Sequence, residues 1–351
     1  MKLLILLFSL LLFSCDPKIK NSPPFSPGGV YLEAGLTKAL SLKMDNIPRT
    51  IKFDEPVLCT RTNGEPIHPH SWAGDICVRQ GPDYLEAWLN YPALGDTKIA
   101  YMTSEEGIKW TLTEARYDGE NLGVFANKGV ETPSVVYAPD FRDGWGDYIM
   151  AILAKQEFNG NRIDRIALVH SDSPTGPWTD TDIWCQPERP WELPWVGPNG
   201  KTLGGCQEPS LLVAGNILAM PYTAVRYEGP KGRPGTALAW LGPDSTEWSK
   251  YPDLIIKNSG QIDVHPISGG FISFYGTLYP GEPINERIEM RVSNDPVRHW
   301  SRPKTIITRD DVNCPNGHIF GPSYVPGLGL WFSSHPGRPN ANKIWFMKEL
   351  S

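Results

Sequence analysis

Asp75, Glu131, Glu208, Asp263 with His265, and His318 lie far apart in the chain, yet all but the last open similar phrases. The phrases read Asp75-Ile76-Cys77-Val78, Glu131-Thr132-Pro133-Ser134-Val135-Val136, Glu208-Pro209-Ser210-Leu211-Leu212 and Asp263-Val264-His265-Pro266-Ile267. A fifth, Gly321-Pro322-Ser323-Tyr324-Val325, follows His318. Carboxylates gathered at one site are costly unless paired or perturbed, so a convergent set implies acid/base chemistry or a bound cation. The question is what fold would bring them together.

Each phrase reads as the start of an apolar strand, and a second strand follows after a short turn: 84–91, 147–153, 217–223, 270–276 and 329–333. Further strands, 98–103, 165–170, 236–241 and 288–292, run into polar turns closed by Trp110, Trp178, Trp248 and Trp300. A strand-turn-strand unit repeated five times predicts an all-β, five-bladed β-propeller, with the recurring Trp residues as packing between blades. A β-sandwich is the architectural alternative. In the propeller the starts of the inner strands converge on one axial funnel, and 50–58 is expected to close the ring beside 343–347. Trp72 would stand at the funnel mouth as an aromatic platform for a ligand.

The 351 residues contain 33 Lys plus Arg against 39 Asp plus Glu, a formal charge of −6, which argues against a nucleic-acid partner. With 40% hydrophobic and 21% charged residues the chain is too apolar for disorder. Its 34 Gly and 34 Pro disfavour a helical bundle. Residues 3–13 form an apolar run too short to span a bilayer, and Leu12-Phe13-Ser14-Cys15 resembles the lipobox of bacterial lipoproteins. This predicts a signal peptide over 1–14, lipidation at Cys15, a tether over 15–29 and one domain over 30–351. The product would be an exported monomer, held to a bacterial membrane by its lipid alone, on the periplasmic or cell-surface face. Export permits disulfides. Five Cys remain after Cys15, an odd number, and Cys185 with Cys206 is the first pair to examine. No CxxC or HExxH spacing occurs, which disfavours a structural zinc site.

The five-unit plan, the acidic starts and the phrase Ser171-Asp172-Ser173-Pro174-Thr175-Gly176-Pro177-Trp178 resemble the five-bladed propeller glycoside hydrolases, family 43 and its relatives, over about residues 50–348. The resemblance implies a carbohydrate substrate and three carboxylates: Asp75 as general base, Glu131 as the group that tunes and orients, and Glu208 as general acid. It implies an inverting hydrolysis with no required cofactor. Asp263, His265 and His318 would touch substrate, and His318 could neighbour an axial Ca or Na ion. The family pattern has Asp-Pro at the first two starts, from which Asp75-Ile76 and Glu131-Thr132 depart. Two other functions fit the same funnel: a sugar-binding propeller without catalysis, and a retaining fructan-type hydrolase with Asp75 as nucleophile, although its Asn-Asp-Pro-Asn and Glu-Cys phrases are missing.

Overall fold

The computed structural model describes residues 58–61, 74–92, 97–193, 195–196, 202–226, 235–267, 269–279, 285–335 and 343–348. The expected signal peptide, Cys15, the tether and Trp72 lie outside them. The architecture is all-β. Strands Gly74–Gln80, Leu85–Pro92, Thr97–Ser104 and Lys109–Tyr117 form an antiparallel meander, with Leu58–Arg61 added in parallel beside Lys109–Tyr117. Most of the expected closing segment 50–58 is outside the described residues. The strand Leu58–Arg61 caps the edge of this first sheet rather than the last one, which has three strands: His318–Val325, Gly329–His335 and Lys343–Lys348. Lys109–Tyr117 would otherwise leave its edge groups unpaired.

An eleven-stranded sheet holds two antiparallel sets. One is Val130–Tyr137, Tyr148–Phe158, Asn161–Ser171 and Thr179–Cys185; the other is built on Thr202–Pro209, Ile217–Arg226 and Gly235–Leu241. They meet at a single parallel pairing of Gly205 with Asp164. A Cβ on Gly205 would lie 2.1 Å from the Asp164 carbonyl oxygen, so only glycine permits the junction. The remaining sheet, third in chain order, comprises Ser259–Ile267, Gly270–Thr277, Arg287–Ser293 and Lys304–Thr308.

The apolar faces of these groups pack on one another in cyclic order. Trp88 and Ile99 of the first sheet meet Val135 and Met150, and Ile149 and Leu168 meet Leu218 and Met220. Leu212 and Ala219 then meet Ile262 and Phe271, and Phe274 and Met290 meet Ile319 and Phe332. Trp331 and Ile344 finally return to Ile76 and Leu89. Trp110 and Trp331, from the first and last groups, both donate their indole N–H to the Gly107 carbonyl, at 2.9 and 2.8 Å. Trp110, Trp178 and Trp248 are buried as their spacing suggested.

The inner strands are tied by a second cycle. Cys77 Sγ accepts the Val135 N–H, Ser134 Oγ that of Leu211, and Ser210 Oγ that of Val264. Asp263 Oδ2 accepts the Tyr324 N–H, and Ser323 Oγ accepts that of Val78, on the strand where the cycle began. Each of these five N–H groups thus finds its acceptor at the preceding inner strand or just after it.

Candidate active site

Every inner strand carries a bulge one step before this cycle. The register slips between Gly74 and Cys77, Glu131 and Ser134, Gln207 and Pro209, Gly260 and Asp263, and Phe320 and Ser323. At each bulge one residue is left-handed: Asp75 (φ 47°), Thr132 (52°), Glu208 (51°), Gln261 (50°) and Gly321 (58°). Four are not glycine and one is β-branched, a conformation that costs about 1–3 kcal/mol per residue and collects at functional sites. A bulge re-aims one side chain out of the alternating pattern. Here all five residues line one pocket.

This register changes how the phrases align. The counterpart of Asp75 and Glu208 on the second strand is Thr132; Glu131 stands one residue earlier. On the fourth strand it is Gln261, whereas Asp263 belongs to the hydrogen-bonded cycle with Cys77 and the serines. A one-residue offset on a strand moves a side chain to the other face, so the difference is chemical as well as positional.

Asp75 and Glu208 are joined through Gln261. Its Nε2 donates to Asp75 Oδ1 at 3.0 Å, while its backbone N–H donates to Glu208 Oε2 at 2.8 Å and Thr223 Oγ1 at 2.9 Å. Asn285 Nδ2 donates to Gln261 Oε1 at 3.1 Å. On the other side of Asp75, Asn90 Nδ2 donates to Oδ2, and Asn90 Oδ1 accepts the Thr132 N–H at 2.7 Å. Glu131 Oε1 pairs with Lys155 Nζ at 2.5 Å.

Both pocket carboxyls keep some exposure but are otherwise packed round by protein. Burial pushes Asp75 well above the ordinary carboxylate range, and the charges of Glu131 and Glu208 push the same way, against the Asn90 hydrogen bond and Lys155. Burial also raises Glu208, with Glu131 and Asp164 adding to it, against the hydrogen bonds from Thr223 and the Gln261 N–H. Glu131 therefore acts on both. Cys77, two residues after Asp75, is a half-buried thiol that desolvation pushes up to about 12, and it serves as a hydrogen-bond acceptor.

Of the remaining expected residues only Asp263 lines the pocket. Asp263 lines the pocket floor with Oδ1 toward Ser210 Oγ (3.1 Å) and Oδ2 toward His265 Nε2 (2.9 Å). His265 thus acts on Asp263 and stacks edge-on against Tyr324. His318, at the head of its strand, faces His335 with ring centroids 6.4 Å apart and is not among the pocket residues. Among the described residues no three His, Cys, Asp or Glu side chains are arranged to hold a metal ion. Cys185 and Cys206 are buried neighbours and free thiols. Asn90, Gln261, Thr132, Lys155 and Gly321 are the site residues that the acidic pattern did not point to.

The chain matches no protein-family profile and no curated protein sequence. It does match solved structures. An exo-β-1,3-galactanase from Phanerochaete chrysosporium, bound to β-1,3-galactotriose, aligns at 10% identity and TM-score 0.55, over 84% of this chain and 63% of that one. This chain thus spans less than two thirds of the galactanase. A thermostable family-43 glycoside hydrolase aligns at 14% identity and TM-score 0.57, over 80% of this chain and 90% of that one. Zg3597, a family 117 glycoside hydrolase from Zobellia galactanivorans, aligns at 17% identity and TM-score 0.51, over 85% and 87%. At these identities the likeness is one of fold: the chain has the mainly β architecture of the family 43 glycoside hydrolases.

Proposed function

We propose that the protein is a glycoside hydrolase built as a five-bladed β-propeller, acting through Asp75 and Glu208. The observation that carries the reading is the placement of these two carboxyls on equivalent bulges of different sheets, facing one pocket and bridged by Gln261. The cyclic order of the apolar contacts and of the inner-strand hydrogen bonds supports five blades around one axis, although no sheet itself closes.

Glycoside cleavage with inversion needs a carboxylic acid to protonate the leaving oxygen and a carboxylate to activate water on the opposite face of the sugar. Glu208 is the acid. Burial and the Glu131 charge favour its protonated form, which is what a donor requires near neutral pH. As the glycosidic C–O bond breaks, the Glu208 proton passes to the departing oxygen. Water attacks the anomeric carbon and gives a proton to Asp75, whose charge the amides of Asn90 and Gln261 stabilise. Glu131, steadied by Lys155, is the tuning charge. The substrate is a carbohydrate chain or its end. The relation to an exo-β-1,3-galactanase puts β-1,3-linked galactans first among candidates, followed by arabino-, xylo- and fructo-configured glycans. Export, a lipid anchor at Cys15 and a monomeric state complete the reading.

The test is proton NMR of the protein incubated with this substrate panel. Release of a sugar whose first-formed anomer is inverted, lost in Glu208→Gln, is the expected result. Retention would make Asp75 a nucleophile. Binding without release would make the protein a sugar-binding propeller.

A further inference from the structure

Asp75 is held by two amides, and they are not equivalent. Asn90 has a fixed orientation: a backbone N–H can only donate, so the atom of Asn90 facing Thr132 is its oxygen and the atom facing Asp75 is its nitrogen. Oδ2 of Asp75 is therefore a permanent acceptor, a role that the carbonyl oxygen of the neutral acid fills better than its hydroxyl, so an arriving proton is favoured on Oδ1. Oδ1 faces Gln261. The Gln261 amide is backed by Asn285, another amide, whose Oδ1 is buried with no hydrogen-bond partner among the described residues. An amide backed by an amide can present either end, so the pair tolerates both states of Oδ1: nitrogen toward a charged oxygen, carbonyl toward a protonated one.

We propose that Oδ1 is the proton-accepting oxygen of Asp75 and that Gln261, with Asn285 behind it, is a positioning residue that holds the negative charge there until water is deprotonated. In the hydrolytic step the water O–H bond breaks, its oxygen bonds to the anomeric carbon, and its proton goes to Oδ1 while Glu208 protonates the leaving oxygen. This rests on the glycosidase reading. The charged groups around Asp75 are Glu131, Lys155 and Glu208 from the neighbouring strands; Gly321, opposite on the last sheet, contributes none.

The experiment is a carbon-13 NMR titration of the protein labelled at aspartate carboxyl carbons, with the Asp75 signal assigned by its loss in Asp75→Asn. Gln261→Met keeps the side-chain length and removes the donor. The Asp75 midpoint is expected to rise by about one pH unit. In kinetics, kcat falls about 10- to 100-fold with KM little changed, and the acidic limb of kcat/KM moves to higher pH. Asn285→Ala, which loosens Gln261 from behind, should shift the midpoint the same way by less. A midpoint unmoved in both variants overturns the inference whether or not the protein cleaves a glycoside. If wild-type protein cleaves none while the midpoint rises in Gln261→Met, the hold on Asp75 stands and the hydrolase reading falls.

Discussion

Gly321 sits so close to Asp75 that a Cβ on it would lie 3.0 Å from the Asp75 α-carbon and 3.2 Å from its Oδ1. Its φ of 58° is also one that side chains rarely adopt. The fifth bulge therefore offers space where the others offer side chains. In Gly321→Ala the neighbour must move, and the neighbour is Asp75, the proposed base. We expect a stability loss of about 1–2 kcal/mol from the left-handed backbone. A loss of about 100-fold in kcat from misplaced geometry should accompany it. Melting curves and steady-state kinetics would check both; a variant with unchanged kcat would mean that Asp75 does not work from this position.

The acid role proposed for Glu208 makes a prediction about leaving groups. Glu208→Gln should lower kcat on a natural glycan by about 10²–10⁴-fold. The loss should shrink on an aryl glycoside whose leaving group departs without a proton. Glu131→Gln should act differently: removing its charge lowers Glu208 from its raised position, so the basic limb of the pH profile moves to lower pH. Equal losses on both substrates would remove Glu208 from the acid role.

Much of this was legible in the chain. Start phrases and Trp-closed turns marked the strands, because alternating apolar runs and polar turns are local signals. The acidic residues at the starts pointed to the pocket that Asp75 and Glu208 share. The register was the part that misled. Glu131-Thr132-Pro133-Ser134 beside Glu208-Pro209-Ser210 invites pairing the two glutamates, whereas the bulges pair Thr132 with Glu208. The cycle residues Cys77, Ser134, Ser210, Asp263 and Ser323 hold the true alignment, each two positions after the left-handed residue. That signal is weak because it mixes three residue types united only by the ability to accept a hydrogen bond. Asn90 and Lys155 left no signal, since they reach the site from second strands whose pairing the phrases do not encode.

The cycle itself can be tested through its acceptors. Ser323→Ala would leave the buried Val78 N–H without its oxygen, a loss of about 1–3 kcal/mol. Cys77→Ser replaces one acceptor with another at the Val135 N–H, where the sulfur is 3.3 Å away, so a change of under about 1 kcal/mol is expected. Denaturant unfolding of the two variants side by side would separate acceptor chemistry from side-chain volume. If Cys77→Ser costs as much as Ser323→Ala, the hydrogen-bonded cycle is not what stabilises the inner strands.

Stability against pH gives an independent view of the pocket carboxyls. The folded protein holds Asp75 and Glu208 above their ordinary range, so it binds protons that the unfolded chain has already released. For such groups stability is fully present below the unfolded value, about 4 for a carboxyl. It is lost as pH rises through the raised folded value. Near neutral pH a charge on Asp75 is therefore poorly solvated and faces that of Glu131, a cost consistent with a functional pocket that trades stability for function. Asp75→Asn removes the charge while keeping the shape. It should raise the melting temperature at neutral pH, with the gain shrinking as pH falls toward 4, where wild-type Asp75 is neutral as well. Melting curves of wild type and variant across that window would measure it. A gain independent of pH would point to packing, and a loss at neutral pH would mean that the hydrogen bonds from Asn90 and Gln261 more than offset the cost of burying the Asp75 charge.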